Sequence, residues 1–379
     1  MNALVTPFVL NVPQAELDDL NRRLDATRWP EKETVDDWTQ GAPLAKVREL
    51  TDHWRHRYDW RRCEAMLNGF GQFKTPIDGL NIHFLHVKSK HPGAMPLILT
   101  HGWPGSVVEF HKVIGPLTDP TAYGGKAEDA FHVVAPSLPG FGFSDKPAAK
   151  GWGIAKIAMA WFTLMARLGY DRFVAQGGDW GAGVTSAMGM AAPEPLAAIH
   201  VNFPLVTPQG PFENPTADEA AALARLKYYQ DWDSGYSKQQ STRPQSLGYG
   251  LADSPVGQAA WIYEKFWAWT DCDGDPGNAL SHDEMLDNIM LYWLTNSAAS
   301  SARLYWESFS GGFGPLVLKL PAGCSVFPKE IYRAPKTWID KCFLNLIHHN
   351  ELEAGGHFAA FEQPTAFVDE LRTCFAKVR

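Results

Sequence analysis

The sequence predicts an α/β protein with a mainly parallel sheet, on three observations: strand-like and helix-like segments alternate through much of the chain, the alternation is broken once by a long helical stretch, and it then resumes. At 379 residues the chain is long enough for a core of that kind with one or two attachments. Hydrophobic residues at 45% and charged residues at 20% are the balance of a folded globular protein.

Taken in order, Leu17, Leu20 and Leu24 fall at helical spacing over 14–27, and Leu44, Val47, Leu50 and Trp54 do so over 42–57. Two amphipathic helices are therefore expected before the first clear strands. Asp78-Gly79 precedes the β-like run Ile82–Val87, a hairpin signal. Strands follow at 96–100, 131–135, 173–175 and 198–201, with a helix around Ile157–Leu168. From 208 to 315 the pattern turns helical and rich in Trp and Tyr, as in Trp261–Trp269, and reads as an insertion. Strands at 323–327 and 344–347 and a closing helix near Thr365–Lys377 complete the core. The expected divisions are 1–90 for an N-terminal meander with the first strands, 91–207 and 316–379 for the two parts of the core, and 208–315 for a helical cap.

Composition excludes several classes of function. The net charge of −8 comes without a block of Lys or Arg, so nothing favours nucleic acid or anionic lipid. The five cysteines are scattered, odd in number and without a C-x-x-C pair, which suits free thiols in a reducing compartment. The N-terminal stretch lacks the basic flank and apolar run of a signal peptide, and no segment approaches ~18 consecutive apolar residues. A cytoplasmic protein without a membrane anchor is expected.

The sharpest local signal is Gly177-Gly178-Asp179-Trp180-Gly181, set between a short apolar strand and the helix-compatible run Ala182–Met190. It fits the strand–turn–helix nucleophile elbow of the α/β-hydrolase fold, with Asp in the place more often held by Ser. Glycines flank such a nucleophile because the turn is tight and its dihedrals strained. An Asp in a Gly-rich turn also commonly caps a helix, so the pentapeptide alone leaves both readings open. Context favours the elbow. His101-Gly102-Trp103-Pro104 follows the strand 96–100, where this fold builds one wall of its oxyanion hole, so the backbone N–H groups of Trp103 and Trp180 are the candidate oxyanion donors. Near the C-terminus, Glu353-Ala-Gly-Gly-His357-Phe358 places His357 in a glycine-rich loop after a strand, which is the chain order expected for the base.

Together these segments resemble the microsomal, fungal and juvenile-hormone branch of the epoxide hydrolases. The likeness runs over nearly the whole chain, from Pro7–Leu10 and Arg28-Trp29-Pro30 to Gly355–Phe358. It implies an α/β-hydrolase fold with an N-terminal meander and an inserted helical cap, or lid. It also implies Asp179 as nucleophile, His357 as base, and an acid on Phe327-Pro328-Lys329-Glu330, for which Glu330 is chosen. Two cap tyrosines that protonate the epoxide oxygen are matched by Tyr236 and Tyr305, with Tyr228, Tyr229, Tyr249 and Tyr263 as nearby competitors. Trp103, Trp180 and Phe358 are expected at the substrate pocket. The partner implied is a small-molecule epoxide, bulky and apolar by the aromatic content of the cap, and a homo-oligomer is allowed. Neither metal nor organic cofactor is expected.

The residue types make chemical sense together. Serine attacking an sp³ carbon would leave an ether, whereas a carboxylate leaves an ester that water can cleave. A haloalkane dehalogenase shares the Asp nucleophile and the following Trp, but a halide needs N–H donors where an alkoxide needs a proton. A catalytically silent scaffold of the same fold is the alternative outside enzymology. Three other patterns fail. Asp271-Cys-Asp273-Gly-Asp275 begins like a calcium loop, but Pro276 and His282 stand where Gly and Glu belong. His348-His349 lacks helical metal-ligand spacing, and Gly181-Ala-Gly183 ends in Ser186 where a dinucleotide fingerprint wants Gly or Ala.

Overall fold

A computed structural model describes residues 4–206, 212–310 and 315–379. Its sheet has nine strands among the described residues: β1 (Thr6–Phe8), β2 (Gln72–Ile77), β3 (Leu80–Val87), β4 (Met95–Thr100), β5 (Phe131–Pro136), β6 (Phe173–Gly177), β7 (Leu196–Val201), β8 (Ala322–Val326) and β9 (Leu346–Glu351). They lie in the order β1-β2-β3-β5-β4-β6-β7-β8-β9. The pairs β1–β2, β2–β3 and β3–β5 are antiparallel, and every later pair is parallel. β6 and β8 are buried along their whole length, as strands covered on both faces must be, which is why their sequences read as apolar or small runs without alternation.

The N-terminal helices are α1 (Gln14–Asp25), α2 (Leu44–His56) and α3 (Trp60–Gly69), followed in the core by α4 (His111–Thr118), α5 (Ile154–Arg167) and α6 (Trp180–Ala191). Between β7 and β8 stand α7 (Ala217–Tyr228), α8 (Gly235–Thr242), α9 (Pro244–Asp253), α10 (Pro255–Trp269), α11 (His282–Leu294) and α12 (Ala298–Ser310). These are the expected helical insertion, although its anticipated edge at 207 and 208 lies outside the described residues. The last helices are α13 (Lys336–Cys342), α14 (Ala359–Glu362) and α15 (Pro364–Phe375).

Four segments depart from expectation. β1 and β2 precede the anticipated first strand, and α3 stands between them as a third helix. A three-residue strand shows no periodicity, and Lys74 and Pro76 break the β-like look of β2. The strand anticipated at 344–347 runs instead from Leu346 to Glu351. It is the half-buried edge of the sheet, so polar residues continue it where an apolar run would have ended.

The N-terminal segment grips the insertion through polar contacts. Arg62 of α3 reaches both carboxylate oxygens of buried Asp287 on α11 at 2.7 Å, and the Tyr58 hydroxyl donates to the same carboxylate at 2.8 Å. Lys46 pairs with Asp275 at 2.8 Å. In turn α11 positions the loop after β4: Asn288 donates to the Pro104 carbonyl at 2.7 Å, and the Tyr292 hydroxyl donates to that of Gly105 at 2.6 Å. The helical insertion is thereby tied to the loop after β4.

At the far end of the sheet, Glu370 of α15 accepts from Ser325, from His348 at 2.7 Å and from Asn350 at 2.8 Å. His200 joins through Ser325 at 2.9 Å. Donor atoms of His200, His348 and Glu370 lie within 4.8 Å of one another, a grouping from three elements that the adjacency of His348 and His349 could not reveal. The hydrogen bonds among them account for it. Burial alone would raise the Glu370 carboxyl, but the His348, Ser325 and Asn350 donors outweigh it and hold the group at about 2. Because the folded-state value is depressed, the stability it contributes is complete above the ordinary value near 4.5 and is lost as pH falls toward about 2. Glu370→Gln is expected to cost about 3 kcal/mol near neutrality, and its melting temperature should fall less steeply than the wild type's between those two pH values. Parallel slopes in calorimetry would show that the network does not carry this term.

Candidate active site

Asp179 sits between β6 and α6 with φ 50° and ψ −129°, a left-handed backbone that a non-glycine residue adopts only under constraint. Glycine permits the surrounding approach. A Cβ on residue 181 would lie 1.9 Å from the Thr100 carbonyl oxygen, and one on residue 102 would lie 2.1 Å from Asp179 Oδ1. Although Asp179 occupies the N-cap position of α6, its side chain makes no capping hydrogen bond. The carboxylate points instead at the loop after β4, where the Trp103 N–H donates to Oδ1 at 2.8 Å. Trp180 opens α6 directly after Asp179, and its indole meets the Tyr305 ring edge-on at 4.7 Å between centroids.

His357 arrives from the loop between β9 and α14. Its Nε2 stands 3.3 Å from Asp179 Oδ2, and its Nδ1 stands 2.5 Å from Glu330 Oε1. Glu330, at the strand-end motif after β8, is 2% exposed, and its Oε1 also accepts from the Ile331 N–H at 2.7 Å. Asp179, His357 and Glu330 thus form one connected line. Burial by itself would push the imidazole down, but the Glu330 charge and the hydrogen bonds to Asp179 and Glu330 raise it well above the usual histidine range.

The loop bearing His357 is docked by residues that motif reading could not supply. The His357 N–H donates to the Trp269 carbonyl at 2.8 Å, and the Gly355 N–H donates to Asp271 Oδ2 at 2.9 Å. That is the structural employment of the aspartate that opens the failed calcium pattern. The Trp269 ring lies 5.1 Å from the imidazole, and Phe203 lies 5.6 Å from it. Phe358 packs on Phe266 behind His357, with centroids 4.9 Å apart, and also borders the cavity beside Asp179.

The helical insertion brings both chosen tyrosines against Trp103. The Tyr236 ring stacks on Trp103 at 4.9 Å with 8° between planes, and Tyr305 meets Trp103 edge-on at 5.9 Å. The two phenol rings stand 5.7 Å apart. The Tyr236 hydroxyl shares a hydrogen bond with Tyr229 at 3.1 Å, whereas the buried Tyr305 hydroxyl has no partner in hydrogen-bonding geometry. Burial pushes both phenols well above their ordinary value, and the nearby Asp179 charge adds to the shift. Of the competing tyrosines, Tyr228 and Tyr249 are exposed, Tyr263 packs beside Trp38, and Tyr229 is hydrogen-bonded to Tyr236.

Sequence reading missed Trp269, Phe203 and the buried pair beneath the tyrosine. Lys265 Nζ lies 2.9 Å from Asp233 Oδ1 and 4.7 Å from the Tyr236 ring centroid, while Asp233 Oδ2 accepts from the Trp269 indole at 2.7 Å. The Trp-rich run 261–269 was visible in the sequence, but only folding reveals that its last ring backs the histidine. No helix among the described residues is long and apolar enough to cross a membrane.

The chain is similar to known proteins in both sequence and fold. Residues 5–110 match the family described as epoxide hydrolase N terminus, and residues 95–251 match the alpha/beta hydrolase fold. A protein of Stigmatella aurantiaca named "Putative epoxide hydrolase" is 62% identical over 99% of this chain and 86% of its own length. Epoxide hydrolase 1 of Oryctolagus cuniculus is 36% identical over 97% of this chain and 88% of its own. Among solved structures, the juvenile hormone epoxide hydrolase of the silkworm Bombyx mori superposes with a TM-score of 0.86 at 33% identity, covering 100% of this chain and 95% of that one.

Proposed function

The chain belongs to the epoxide hydrolase family, an enzyme that adds water to an epoxide, and from that premise we propose that it works through a covalent ester on Asp179. The observation that carries the proposal is the single line formed by Asp179, His357 and Glu330, with the Asp179 carboxylate held by the Trp103 N–H and facing two cap phenols.

In the first half-reaction an Asp179 oxygen attacks one epoxide carbon from behind, the carbon–oxygen bond of the ring breaks, and a phenol of Tyr236 or Tyr305 gives its proton to the forming alkoxide. In the second, water attacks the Asp179 carboxyl carbon while His357 Nε2 takes its proton, and Glu330 steadies the imidazolium. The Trp103 N–H, together with that of Trp180, stabilises the oxyanion. Collapse breaks the bond between the carboxyl carbon and the alkyl oxygen; the leaving alkoxide takes the carboxyl proton and departs as a vicinal diol, and the proton on His357 returns to the phenolate, which restores the resting charges. Esterification removes the Asp179 charge that helps hold the proton on His357, so the imidazole is freed as a base for the step that needs one.

Several features support an apolar substrate of some bulk. Trp103, Trp180, Tyr236 and Tyr305 pack on one another as an aromatic cluster, with Phe309 against Trp180. Such a wall contributes area without charge. The domain divisions at 90, 207 and 315 are proposed on the same reading, as a meander, a core and a cap that closes the site.

The route of oxygen tests the ester. One turnover in heavy-oxygen water, with enzyme in excess, is expected to leave the label on the peptide containing Asp179 and none in the diol. Label appearing first in the diol would mean direct attack of water on the epoxide, and the ester would be abandoned.

A further inference from the structure

Glu109 takes no part in the triad, yet it lines the same small cavity as Asp179 and His357, beside His101, Gln176 and Asn202. That cavity leaves about 20 Å³ to the centre of a water molecule, room for a single ordered water. Local structure explains only half of this side chain. Glu109 closes a capping box on the 3₁₀ turn Val107–Phe110, in which the Ser106 N–H donates to Glu109 Oε1 at 3.1 Å. A Cβ on residue 105 would lie 1.4 Å from that oxygen, so only glycine there leaves room for the carboxylate in its place. The cap occupies Oε1; Oε2 makes no hydrogen bond among the described residues.

Ester hydrolysis makes a geometric demand that the triad does not meet. The attacking water must direct a lone pair at the Asp179 carboxyl carbon and one hydrogen at His357 Nε2. Its second hydrogen needs an acceptor, or the water is free to rotate about the first bond and lose its alignment. We propose that Glu109 is a positioning residue for the second half-reaction, its free carboxylate oxygen accepting the second hydrogen of the hydrolytic water held in this cavity. The proposal rests on the ester reading. In it Glu109 forms no bond to substrate; the water proton goes to His357 and the new carbon–oxygen bond is to Asp179.

The electrostatics run in the same direction. Burial pushes the Glu109 carboxyl up to about 8, with His357 opposing and the charges of Asp179 and Glu362 adding to the rise. Forming the ester removes the Asp179 charge, and proton transfer makes His357 cationic. Both changes favour the ionised carboxylate, the stronger acceptor, during the step that uses it.

Glu109→Gln tests this, because Gln also serves at the third position of a capping box while carrying one acceptor in place of two. Wild type and variant are mixed rapidly with styrene oxide, and the alkyl-enzyme is followed by quenched-flow mass spectrometry. The hydrolysis rate constant is expected to fall about 10–100-fold while alkylation changes less than about threefold. Then kcat and KM fall together and kcat/KM is preserved, a pattern that distortion of the loop after β4 would not give. Glu109→Asp, which keeps the charge but shortens the reach, should lose hydrolysis in the same selective way, and it serves if the Gln variant does not fold. A wild type that forms ester beside variants with unimpaired hydrolysis, or with kcat/KM reduced as much as kcat, overturns the proposal alone. A wild type that never forms ester overturns the ester reading and this proposal with it.

Discussion

Replacing His357 with Gln is expected to stop the enzyme halfway, leaving it able to open one epoxide and unable to release the product. A carboxylate nucleophile needs no base to attack, so the first half-reaction depends on Asp179, the Trp103 N–H and the phenols. The second depends on His357 Nε2, 3.3 Å from Asp179, taking a proton from water. Steady-state turnover should therefore fall on the order of 10⁴-fold or more, while intact mass rises by the mass of one substrate. Asp179→Ala should lose turnover to a similar degree and gain no mass. Glu330→Gln is expected to fall between, since it keeps the shape beside Nδ1 but removes the charge that holds the imidazole up. An adduct on Asp179→Ala, or none on His357→Gln, would place the covalent bond elsewhere or nowhere.

That pair of outcomes depends on residues that were legible in the chain for a definite reason. Asp179, Trp103 and His357 each sit in a short turn whose glycines are required by close backbone approach, so the geometry left a trace in neighbouring letters. Gly181 is needed because β4 passes 1.9 Å from where its Cβ would be, and the demand shows as a motif. The parallel strands were legible because burial on both faces selects apolar residues without interruption. Where burial is partial the trace fades: β9 continues through His348, His349 and Asn350 because an edge strand tolerates them. Trp269, Phe203 and Asp233 left no local mark at all, since their contacts with the histidine loop and the tyrosine join distant parts of the chain. Glu109 was hidden differently. Its capping box is a sufficient local reason for a glutamate, and only the folded loop shows that this side chain lines the same cavity as Asp179 and His357.

The cap phenols are expected to produce the second large effect, and an unequal one. The Tyr305 hydroxyl is buried without a partner, whereas that of Tyr236 is already engaged with Tyr229 at 3.1 Å. An epoxide oxygen that accepts from Tyr305 satisfies a group that has no other bond; one that accepts from Tyr236 competes with or redirects an existing bond. Each substitution by Phe should lower kcat/KM by about 10–10³-fold, as for loss of one transition-state donor, with Tyr305→Phe the more severe. Tyr229→Phe should cost less than either, because its hydroxyl is engaged with that of Tyr236. The loss belongs in kcat/KM because protonation of the alkoxide occurs while the ester forms, before His357 acts. Burial and the Asp179 charge hold both phenols well above 10, so they stay protonated across the working range and kcat/KM should not decline from their ionisation below pH 10. As Asp179 bonds to carbon its charge disappears, one cause of that elevation is lost, and the phenol becomes a better acid when the alkoxide appears. If Tyr236→Phe and Tyr305→Phe both keep kcat/KM within about threefold of wild type, the proton comes from another group.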